Sequence, residues 1–411
     1  MSFFYQIFIF LLAFGFRVGS VFNQKIKSGF VGRKQSFNLV KQKLKKSDKV
    51  IWMHAASLGE YEQGLPVLEC LKAEFPQYKI LVTFFSPSGY DNVVKKNHFA
   101  DVVCYLPFDD KKTITNFVSQ FQTEIFFTVK YDFWYHLFRE LKNRKSKIFV
   151  ISALFYPKQI FFKPYGKWFV NRLAKDVDWF FHQTKNSCEL AKNIGLKNSS
   201  VSGDTRFDRV RQIRERDNNV PFIQEFKTDK KLLVFGSSWE AEERIAKAVS
   251  EQNQDLKIII APHDLKRVEY LKKSFQNVLL YSEVQLDIKK IATSDILIID
   301  SIGLLSKIYA YADLAVVGGG FHSAGLHNIL EAATFGIPVV FGNQYKKNPE
   351  ADALIEYNGG KSFTDEKQAT DGILSILKDE KLLKLMSENS AKFVYHQPYS
   401  TEIIFNKILS L

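Results

Sequence analysis

The sequence predicts an α/β protein of two doubly wound domains, in each of which helices cover both faces of a parallel sheet. Its 411 residues are too many for one ordinary domain and suit two of about 200 residues each. Short apolar runs alternate with helical stretches through both halves of the chain, as such sheets require. Residues 208–231 interrupt the alternation with a dense run of charged side chains, and we place the domain boundary at their start.

Apolar runs predict the strands of both sheets. In the first half they lie at residues 50–55, 79–85, 101–106, 124–129 and 147–151. In the second half they lie at residues 232–235, 257–261, 295–300, 314–317 and 338–341. Helices are expected between them, among them residues 61–74, 88–96 and 240–250. Because ligands bind beyond the carboxyl ends of parallel strands, we expect a cleft lined by those ends of the two sheets.

The N-terminus combines an apolar run with a basic segment. Residues 3–16 are nearly all apolar, Arg17 interrupts the run, and residues 18–22 resume it, so the run is shorter than the ~20 residues of a clean membrane span. A cleaved signal peptide has its basic residues before the apolar part, whereas here they follow it. We therefore expect residues 1–24 to be an uncleaved membrane anchor, spanning or interfacial. The alternative is a buried first helix of the domain.

The charge distribution narrows the class of partner. The net charge is +13, and residues 1–50 hold ten Lys and Arg against a single acid, Asp48. A basic collar behind an apolar anchor suits an anionic membrane surface. It does not suit a nucleic-acid groove, which spreads its charge over a domain. Three isolated cysteines, Cys70, Cys104 and Cys188, predict neither a disulfide framework nor a zinc site and fit a reducing compartment.

The first candidate motif, residues 54–60, lies between a predicted strand and a helix. Gly59 is expected to permit a tight turn that places Glu60 at the helix N-terminus, near the cleft. A carboxylate there can act as a general base toward a hydroxyl group. The alternative is structural, because acids stabilise the first turn of any helix.

The second candidate motif is glycine-rich and spans residues 317–331. It reads as a strand, a loop and a helix, whose amides favour a phosphate. Ser323 stands where the third glycine of a dinucleotide fingerprint would be, so a hydride-transfer cofactor is not indicated. Asn328 and Glu331, three residues apart, are expected on one helix face, where they can bind ribose hydroxyls. A capped surface helix with a flexible loop is the alternative.

Smaller polar signals follow other strands of the second half. On one sheet edge they would form a ligand-binding rim, although each alone is an ordinary loop: Gly236, Ser237 and Ser238; Pro262 and His263; Ser301, Ile302 and Gly303. Near the boundary, Arg206 can bind a phosphate bidentately or form a hinge salt bridge.

In this order, the motifs resemble the Kdo transferases of lipid A biosynthesis, which are GT-B glycosyltransferases of family 30. The resemblance covers nearly the whole chain and is most specific at residues 51–66 and 318–342. It implies a GT-B fold of two doubly wound, Rossmann-like domains facing a cleft. It also implies inverting transfer of Kdo from CMP-Kdo to a tetraacylated lipid A precursor, without a bound metal or other cofactor. The expected location is the bacterial inner membrane, with the catalytic domains on the cytoplasmic side.

The resemblance assigns roles residue by residue. Glu60 would be the general base, and Arg206 would stabilise the leaving phosphate, at a position where the family often has Lys. The residues that would contact CMP are Pro262, His263, Ile302, Gly303, Leu304, Asn328, Ile329, Leu330 and Glu331. Further rim positions are Ser57, Gly59, Asp132, Gly236, Ser237 and Ser238. The expected domains are an acceptor-binding domain at 25–207, a CMP-Kdo-binding domain at 208–395, and a C-terminal helix at 396–411 that packs back on the first domain.

One segment departs from the family. Its acidic motif Glu-Thr-Glu-Leu-Trp-Pro corresponds here to residues 130–135, in which Lys130 replaces the first acid, while Asp132 and Trp134 retain the second acid and the tryptophan. The role of the first acid therefore does not carry over. Lys130 would pair with the Kdo carboxylate or with Glu60, and in the second case it would lower the pKa of Glu60.

Two other functions remain open at this level. One is a GT-B membrane glycosyltransferase that uses a different activated sugar, which competition by CMP against UDP would separate. The other is a non-catalytic nucleotide-binding membrane protein, a reading to which the charge reversal at Lys130 gives weight. The joint presence of Glu60, Arg206, Asn328 and Glu331 argues against a decayed site.

Overall fold

The computed structural model describes residues 2–95, 98–286, 288–323, 325–346 and 348–411. The chain divides into two compact domains: residues 1–209 with 398–411, and residues 210–397. The boundaries lie two residues beyond those expected from the sequence, and the C-terminal segment belongs to the first domain.

Each domain contains a seven-stranded, all-parallel sheet. The strands of the first sheet are β1 Lys49–Ala55, β2 Lys79–Phe84, β3 Val102–Tyr105, β4 Gln122–Val129, β5 Lys147–Ala153, β6 Trp179–His182 and β7 Ser199–Val201, in the order β3-β2-β1-β4-β5-β6-β7. Those of the second are β8 Lys231–Ser238, β9 Leu256–Pro262, β10 Val278–Leu280, β11 Ile296–Ile298, β12 Leu314–Val317, β13 Val339–Gly342 and β14 Gly360–Phe363, in the order β10-β11-β9-β8-β12-β13-β14. The predicted α/β class with two doubly wound domains is confirmed.

Helices connect the strands, as parallel pairing demands. They are α1 Ser2–Phe22, α2 Gln24–Lys43, α3 Leu58–Glu74, α4 Pro87–Val94, α5 Lys111–Val118, α6 Tyr135–Asn143, α7 Lys167–Asp176, α8 Lys185–Asn193, α9 Thr205–Glu215, α10 Ile223–Lys227, α11 Glu240–Gln252, α12 Val268–Ser274, α13 Ile288–Ile291, α14 Leu305–Ile308, α15 Leu330–Ala333, α16 Pro349–Glu356, α17 Glu366–Lys378, α18 Glu380–Tyr395 and α19 Ser400–Leu409. Short 3₁₀ turns lie at Ile160–Phe162, Pro164–Gly166, Leu265–Arg267, Tyr281–Leu286 and Tyr309–Tyr311.

The strands at the centre of the first sheet are buried on both faces, which explains their continuous apolar sequence. Trp52 on β1 is fully buried, its ring meeting Phe126 at 5.2 Å and Phe117 at 5.6 Å between centroids. On the opposite face, Ile404 and Ile408 of α19 join the core that packs under α3. The C-terminal helix is thus part of the first domain.

The N-terminal helix α1 is a separate apolar element with one packed side. Residues 4–22 are long and apolar enough to cross a membrane by length and composition. Ile9 is only 2% exposed and belongs to the core of the first domain, whereas Phe10 is 69% and Phe22 84% exposed. The helix therefore combines both sequence interpretations: part of it is buried in the domain and the rest is an exposed apolar surface.

Arg33 is an exception among the basic residues expected to form the collar, because it is buried in the domain. Its side chain is buried, donates to the carbonyls of Gly29 and Phe85, and lies over the ring of Phe85 at 4.6 Å. Burial lowers its pKa to about 10. Arg33 consequently fastens α2 to the sheet instead of facing a membrane, a contact that charge counting alone does not reveal.

Tyr5 fastens α1 to the domain through a buried carboxylate. Its hydroxyl donates to Asp109 Oδ2 at 2.6 Å, and the same carboxylate accepts the N–H groups of His136 and Leu137 at the start of α6, each at 2.8 Å. Burial raises the pKa of Asp109 to about 7, against the opposing effect of these three hydrogen bonds. Asp109 thus links the apolar helix to the N-terminus of α6.

Tyr5→Phe should reduce the free energy of unfolding by about 1–3 kcal/mol, because a buried carboxylate loses one donor. The folded-state pKa of Asp109 is already above its unfolded value, so its contribution to stability is lost as pH rises through about 7. Without Tyr5 that pKa rises further, and the deficit should be larger at pH 8.5 than at pH 6. Thermal unfolding at both pH values measures this. A deficit independent of pH, or one equal to that of Phe14→Leu on the exposed side of α1, would contradict the assignment.

Candidate functional site

Glu60 lies at the start of α3, directly beyond the carboxyl end of β1. Its Oε2 accepts the N–H of Ala56 at 2.6 Å, so the carboxylate turns back toward the strand end. Ser57 is the N-cap residue but makes no side-chain capping bond. The expected tight turn at Gly59 is wrong: Gly59 lies within the first turn of α3 without a positive φ, and a methyl group there would meet no atom within 4 Å. The start of α3 and the hydrogen bond from Ala56 therefore position Glu60.

The surroundings of Glu60 raise its pKa. Burial is the largest cause and the negative charge of Asp132 adds to it, while Lys130, the Ala56 N–H and His54 act in the opposite direction. Lys130 thus acts in the direction expected from the sequence, but it does not outweigh burial. A carboxyl group with a raised pKa is a stronger base once ionised, which is what general-base chemistry near neutral pH requires.

A second carboxylate near Glu60 is fixed by a buried histidine. Asp132 Oδ2 lies 2.6 Å from Nε2 of His54, a fully buried residue of β1 whose Nδ1 lies 2.9 Å from Thr83 Oγ1. The indole N–H of Trp134 lies 3.2 Å from the same Nε2. The retained Asp132 and Trp134 are therefore parts of one network centred on His54, which sequence analysis placed in the motif without a role.

Lys130 sits at a strained position at the end of β4. Its φ is 63°, the left-handed region that non-glycine residues rarely adopt, and its N–H donates to the carbonyl of Ile151 at 2.9 Å. Strain of this kind persists where the surrounding structure over-determines the backbone, which is common at functional sites. This turn carries the chain from Lys130 to Asp132.

Arg206 is engaged by a neighbouring acid. Its Nε and Nη2 donate to Asp204 Oδ2 at 2.9 and 2.6 Å, and Gln63 donates to Asp204 Oδ1 at 3.1 Å. Burial would raise the pKa of Asp204, but Arg206 and these hydrogen bonds hold it below its usual value. The structure thus shows a salt bridge within the first domain, so the positive charge that a phosphate would meet at Arg206 is partly offset.

In the second domain, the predicted rim residues follow strands that are neighbours in the sheet. Ser238 ends β8, Pro262 ends β9, and Ile302 follows β11; these strands stand side by side in the order β11-β9-β8. The N–H of His263 donates to the carbonyl of Ser238 at 3.0 Å, which ties the first two loops together. Ile302 is 80% exposed and Gly303 has a φ of 101°, so the third loop projects from the sheet.

The glycine-rich loop after β12 packs against its neighbours too closely to offer all its amides. The N–H of Gly318 donates to the carbonyl of Gly236 at 2.9 Å, and the N–H of Gly319 donates to Glu242 Oε1 at 2.9 Å. A Cβ at Gly318 would lie 2.0 Å from the carbonyl oxygen of Ser237, which explains the glycine. The expectation that these two amides bind a phosphate is wrong, because both are already used within the domain.

Asn328 and Glu331 are adjacent, though not on one helix face. The helix α15 is a single turn that begins at Leu330, so Asn328 precedes it. Asn328 Oδ1 accepts the N–H of Leu330 at 3.1 Å, and its Nδ2 donates to Glu331 Oε1 at 3.1 Å. Ile329 and Leu330 are fully buried. The pair therefore presents polar groups at the edge of the sheet while the two apolar residues anchor it.

Sequence analysis missed an aromatic cluster in the same place. Trp239 stacks on His263 with 4.5 Å between ring centroids and meets His322 edge-on at 4.3 Å. The ring centroids of His327 and His263 are 4.7 Å apart, and the indole nitrogen of Trp239 lies 3.2 Å from Nε2 of His327. The signal was available, because all four residues follow predicted strands. Among the described residues, no group of three or more His, Cys, Asp or Glu is placed to hold a metal ion.

Comparisons with known proteins agree with this architecture. Residues 32–209 match the sequence model of the 3-deoxy-D-manno-octulosonic-acid transferases, or Kdo transferases. The chain is 26% identical over 350 residues to the Kdo transferase of Aquifex aeolicus, covering 84% of this chain and 91% of that protein. It is 25% identical to the Kdo transferase of Chlamydia trachomatis serovar D, covering 89% of this chain and 86% of that protein.

Solved structures share the fold at low sequence identity. Staphylococcus aureus MnaA with UDP is 16% identical, with a TM-score of 0.58 over 88% of this chain and 96% of that one. Acinetobacter baumannii MurG is 14% identical, with a TM-score of 0.56 over 89% of this chain and 100% of that one.

Two parallel sheets of seven strands, in domains shared with these proteins, define a glycosyltransferase fold of the GT-B class. Within that class the chain is similar to the Kdo transferases: residues 32–209 match their family model, and most of its length aligns with theirs. The resemblance inferred from the motifs is confirmed.

Proposed function

We propose that this protein is an inverting glycosyltransferase that transfers Kdo from CMP-Kdo to a hydroxyl group of a lipid A precursor. The observation that carries the proposal is the half-buried Glu60, turned back onto the Ala56 amide and with a raised pKa, in a domain similar to the Kdo transferases. The similarity to Kdo transferases indicates that the transferred sugar is Kdo, and Glu60 of this chain is assigned as the base.

Glu60 takes the proton of the acceptor hydroxyl as the new bond to the anomeric carbon forms. The bond from that carbon to the phosphate oxygen of CMP breaks, and CMP leaves with the electron pair from the opposite face, which inverts the configuration. The Ala56 N–H fixes the orientation of Glu60, and its raised pKa makes the ionised carboxylate a stronger base. No metal ion or other cofactor is assigned to this step.

The second domain is proposed to bind CMP-Kdo along the edge formed by Pro262, His263, Ile302–Leu304 and Asn328–Glu331. These loops follow β11, β9 and β12, which lie in one parallel sheet with only β8 between β9 and β12, so the loops lie along the same carboxyl edge, and this placement supports the assignment. The Asn328–Glu331 pair suits ribose hydroxyls, because it combines amide and carboxylate groups. Arg206 is assigned to the leaving phosphate, with part of its charge offset by Asp204.

The exposed side of α1 is proposed to lie in the cytoplasmic interface of the inner membrane. Ile9 and Tyr5 hold the other side of the helix against the first domain, and a helix so held suits an interfacial position better than a crossing. The lysines of α2 supply the basic collar, to which Arg33 does not contribute because it is buried. An open cavity of about 610 Å³ lies in the second domain, and one of about 880 Å³ lies between α1 and α5.

The second of these cavities suits an acylated, phosphorylated acceptor. It is lined by Ile9, Phe10 and Ala13 of α1 and by Lys111 and Lys112 of α5. Apolar side chains beside two ammonium groups match the acyl chains and phosphates of a lipid A precursor. This placement supports a membrane-bound lipid acceptor in preference to a soluble sugar.

The test is a transfer assay with purified protein, CMP-Kdo and tetraacylated disaccharide lipid A precursor, followed by mass spectrometry of the lipid. We expect a product heavier by one or more Kdo units, and its mass counts the sugars added. Inhibition by CMP and not by UDP identifies the donor class. A folded protein that makes no product from CMP-Kdo, or that is inhibited by UDP alone, would overturn the proposal in favour of another activated sugar or a non-catalytic role.

Lys130→Met should move the acidic limb of the pH–rate profile to higher pH. The positive charge of Lys130 lowers the pKa of Glu60, so its removal raises that pKa further, and less of the base is ionised at a given acidic pH. Below the pKa, the rate should fall up to about tenfold for each unit by which the limb moves. Lys130→Arg is the control that keeps both the charge and a non-glycine residue at the same backbone position. An unchanged limb in Lys130→Met would show that this charge does not act on the base.

A further inference from the structure

Three histidines and a tryptophan form a compact group at the carboxyl edge of the second sheet. This group, the imidazole cluster, consists of His263, His322 and His327 around Trp239. The ring of His263 lies 4.5 Å from that of Trp239 and 4.7 Å from that of His327, and the ring of His322 meets Trp239 edge-on at 4.3 Å. Trp239 and His322 also line the open cavity of about 610 Å³.

The amides of the adjacent loop do not provide the positive potential that a phosphate needs here. The N–H groups of Gly318 and Gly319 are bound to Gly236 and Glu242, as described above. The helix that follows the loop is a single turn. Neither the amides of Gly318 and Gly319 nor this short helix supplies that potential, so the side chains of the imidazole cluster are the groups considered for it.

The fixed charges around the imidazole cluster are largely paired. Arg244, on the cavity wall, donates to Glu366 through both Nε and Nη2, at 2.9 and 2.6 Å. Glu242 accepts the N–H groups of Trp239 and Gly319. The other charged residues on the described cavity wall are Glu240, Asp365 and Lys367, and Asp264 is adjacent to His263. The imidazoles are consequently the groups whose charge can change.

We propose that the imidazole cluster binds the phosphate of the nucleotide donor and takes up a proton from solvent as it does so. This inference rests on the proposed function and adds residues to its donor site, namely Trp239, His322 and His327. The proton is held on His263 or His322, and it is released when the nucleotide departs.

The hydrogen bonding of the cluster assigns different roles to its members. The indole N–H of Trp239 points at Nε2 of His327, which must be unprotonated to accept it, so His327 is held neutral. Burial lowers the pKa of His327 to about 4, in agreement with that geometry. The pKa of His263 is also lowered, by burial first, while Asp264 acts in the opposite direction and the nearby His322 adds to the lowering. A bound phosphate anion offsets the burial and the repulsion by His322, because its negative charge stabilises the imidazolium form of His263.

Calorimetry of CMP binding at pH 7.5, in buffers of low and high ionisation enthalpy, tests the proposal. The phosphate of CMP, with a second pKa of about 6, is then already doubly charged and takes up little itself. We expect about one proton taken up per CMP, affinity that weakens as pH rises from 6.5 to 8.5, and no uptake on titration with cytidine, which lacks the phosphate.

Variants separate the cluster from the rest of the domain. The double variant His263→Asn/His322→Asn should bind CMP at least tenfold more weakly and without proton uptake. His396→Asn is the matched control, since it removes an exposed histidine of the same domain and should change neither quantity. Thermal unfolding of each variant establishes that it is folded.

The outcomes distinguish this inference from the proposed function. If the protein binds CMP without taking up a proton, or if the folded double variant retains the uptake, the imidazole cluster has no such role and the proposed transferase stands. If the folded protein does not bind CMP at all, both fail.

Discussion

Glu60→Gln is expected to reduce the rate of Kdo transfer by about 10²–10⁴-fold while leaving the affinity for CMP unchanged. The amide has nearly the shape of the carboxylate and can still accept the N–H of Ala56 through its oxygen, so the turn between β1 and α3 should persist. It cannot accept a proton from the acceptor hydroxyl. The measurement is single-turnover transfer from CMP-Kdo at saturating acceptor, with calorimetric titration of CMP.

The matched control for this prediction is Glu74→Gln, at the last residue of the same helix. Glu74 is exposed and lies at the opposite end of α3 from the carboxyl end of β1, so its rate should stay within about twofold of the parent. A Glu60→Gln protein that keeps more than about a tenth of the parent rate would show that another group takes the proton. Asp132, whose charge acts on Glu60, is the candidate that Asp132→Asn would then test.

The two-domain α/β fold could be predicted from the sequence because parallel strands have a recognisable local sequence pattern. Strands buried on both faces are continuous apolar runs, and residues 314–317 were predicted with the bounds that the structure shows for β12. The short strands β6, β7, β10 and β14 were not predicted. They are three or four residues long, and two of them, β7 with the sequence SSV and β14 with GKSF, lack the continuous apolar run that made the equally short β12 recognisable.

The details of the site were less accessible, since they depend on contacts between distant residues. Arg33 reads as one more basic residue, and only the approach of Phe85 and Tyr105 shows that it is buried under aromatic rings. Gly319 lies in a glycine-rich loop of the kind that binds phosphates, yet its N–H donates to Glu242, which is 77 positions earlier in the chain. Local sequence indicates which groups are available, whereas the fold decides which of them are already paired.

The predicted site residues show the same division. The position of Glu60 beyond β1 could be predicted because the alternation of strands and helices sets it, whereas its role as a base was implied by the family resemblance. The link from Asp132 to His54 joins residues 78 apart, and nothing in the local pattern reports it. The imidazole cluster likewise assembles from the ends of β8, β9 and β12, which adjacency in the sheet brings together. These contacts are the ones on which the chemistry of the site depends.

Replacing three exposed phenylalanines of α1 should detach the protein from membranes. Phe10, Phe14 and Phe22 are 69%, 56% and 84% exposed, so their replacement by Ser removes apolar surface without opening a cavity in the domain. Each ring inserted into the acyl boundary contributes about 1 kcal/mol or more, and the three together should lower vesicle partitioning at least ~100-fold. Sedimentation with vesicles that contain an anionic phospholipid measures the effect.

The control is an equal loss of exposed apolar side chains elsewhere, Val94→Ser, Leu385→Ser and Leu409→Ser, which should leave partitioning unchanged. Salt separates the two parts of the proposed anchor, because it screens the attraction of the lysines of α2 for anionic lipid but leaves the insertion of α1 in place. The parent protein should therefore stay partly bound at high salt, while the triple variant should bind only at low salt. Equal binding of parent and variant at high salt would mean that the exposed side of α1 does not enter the membrane.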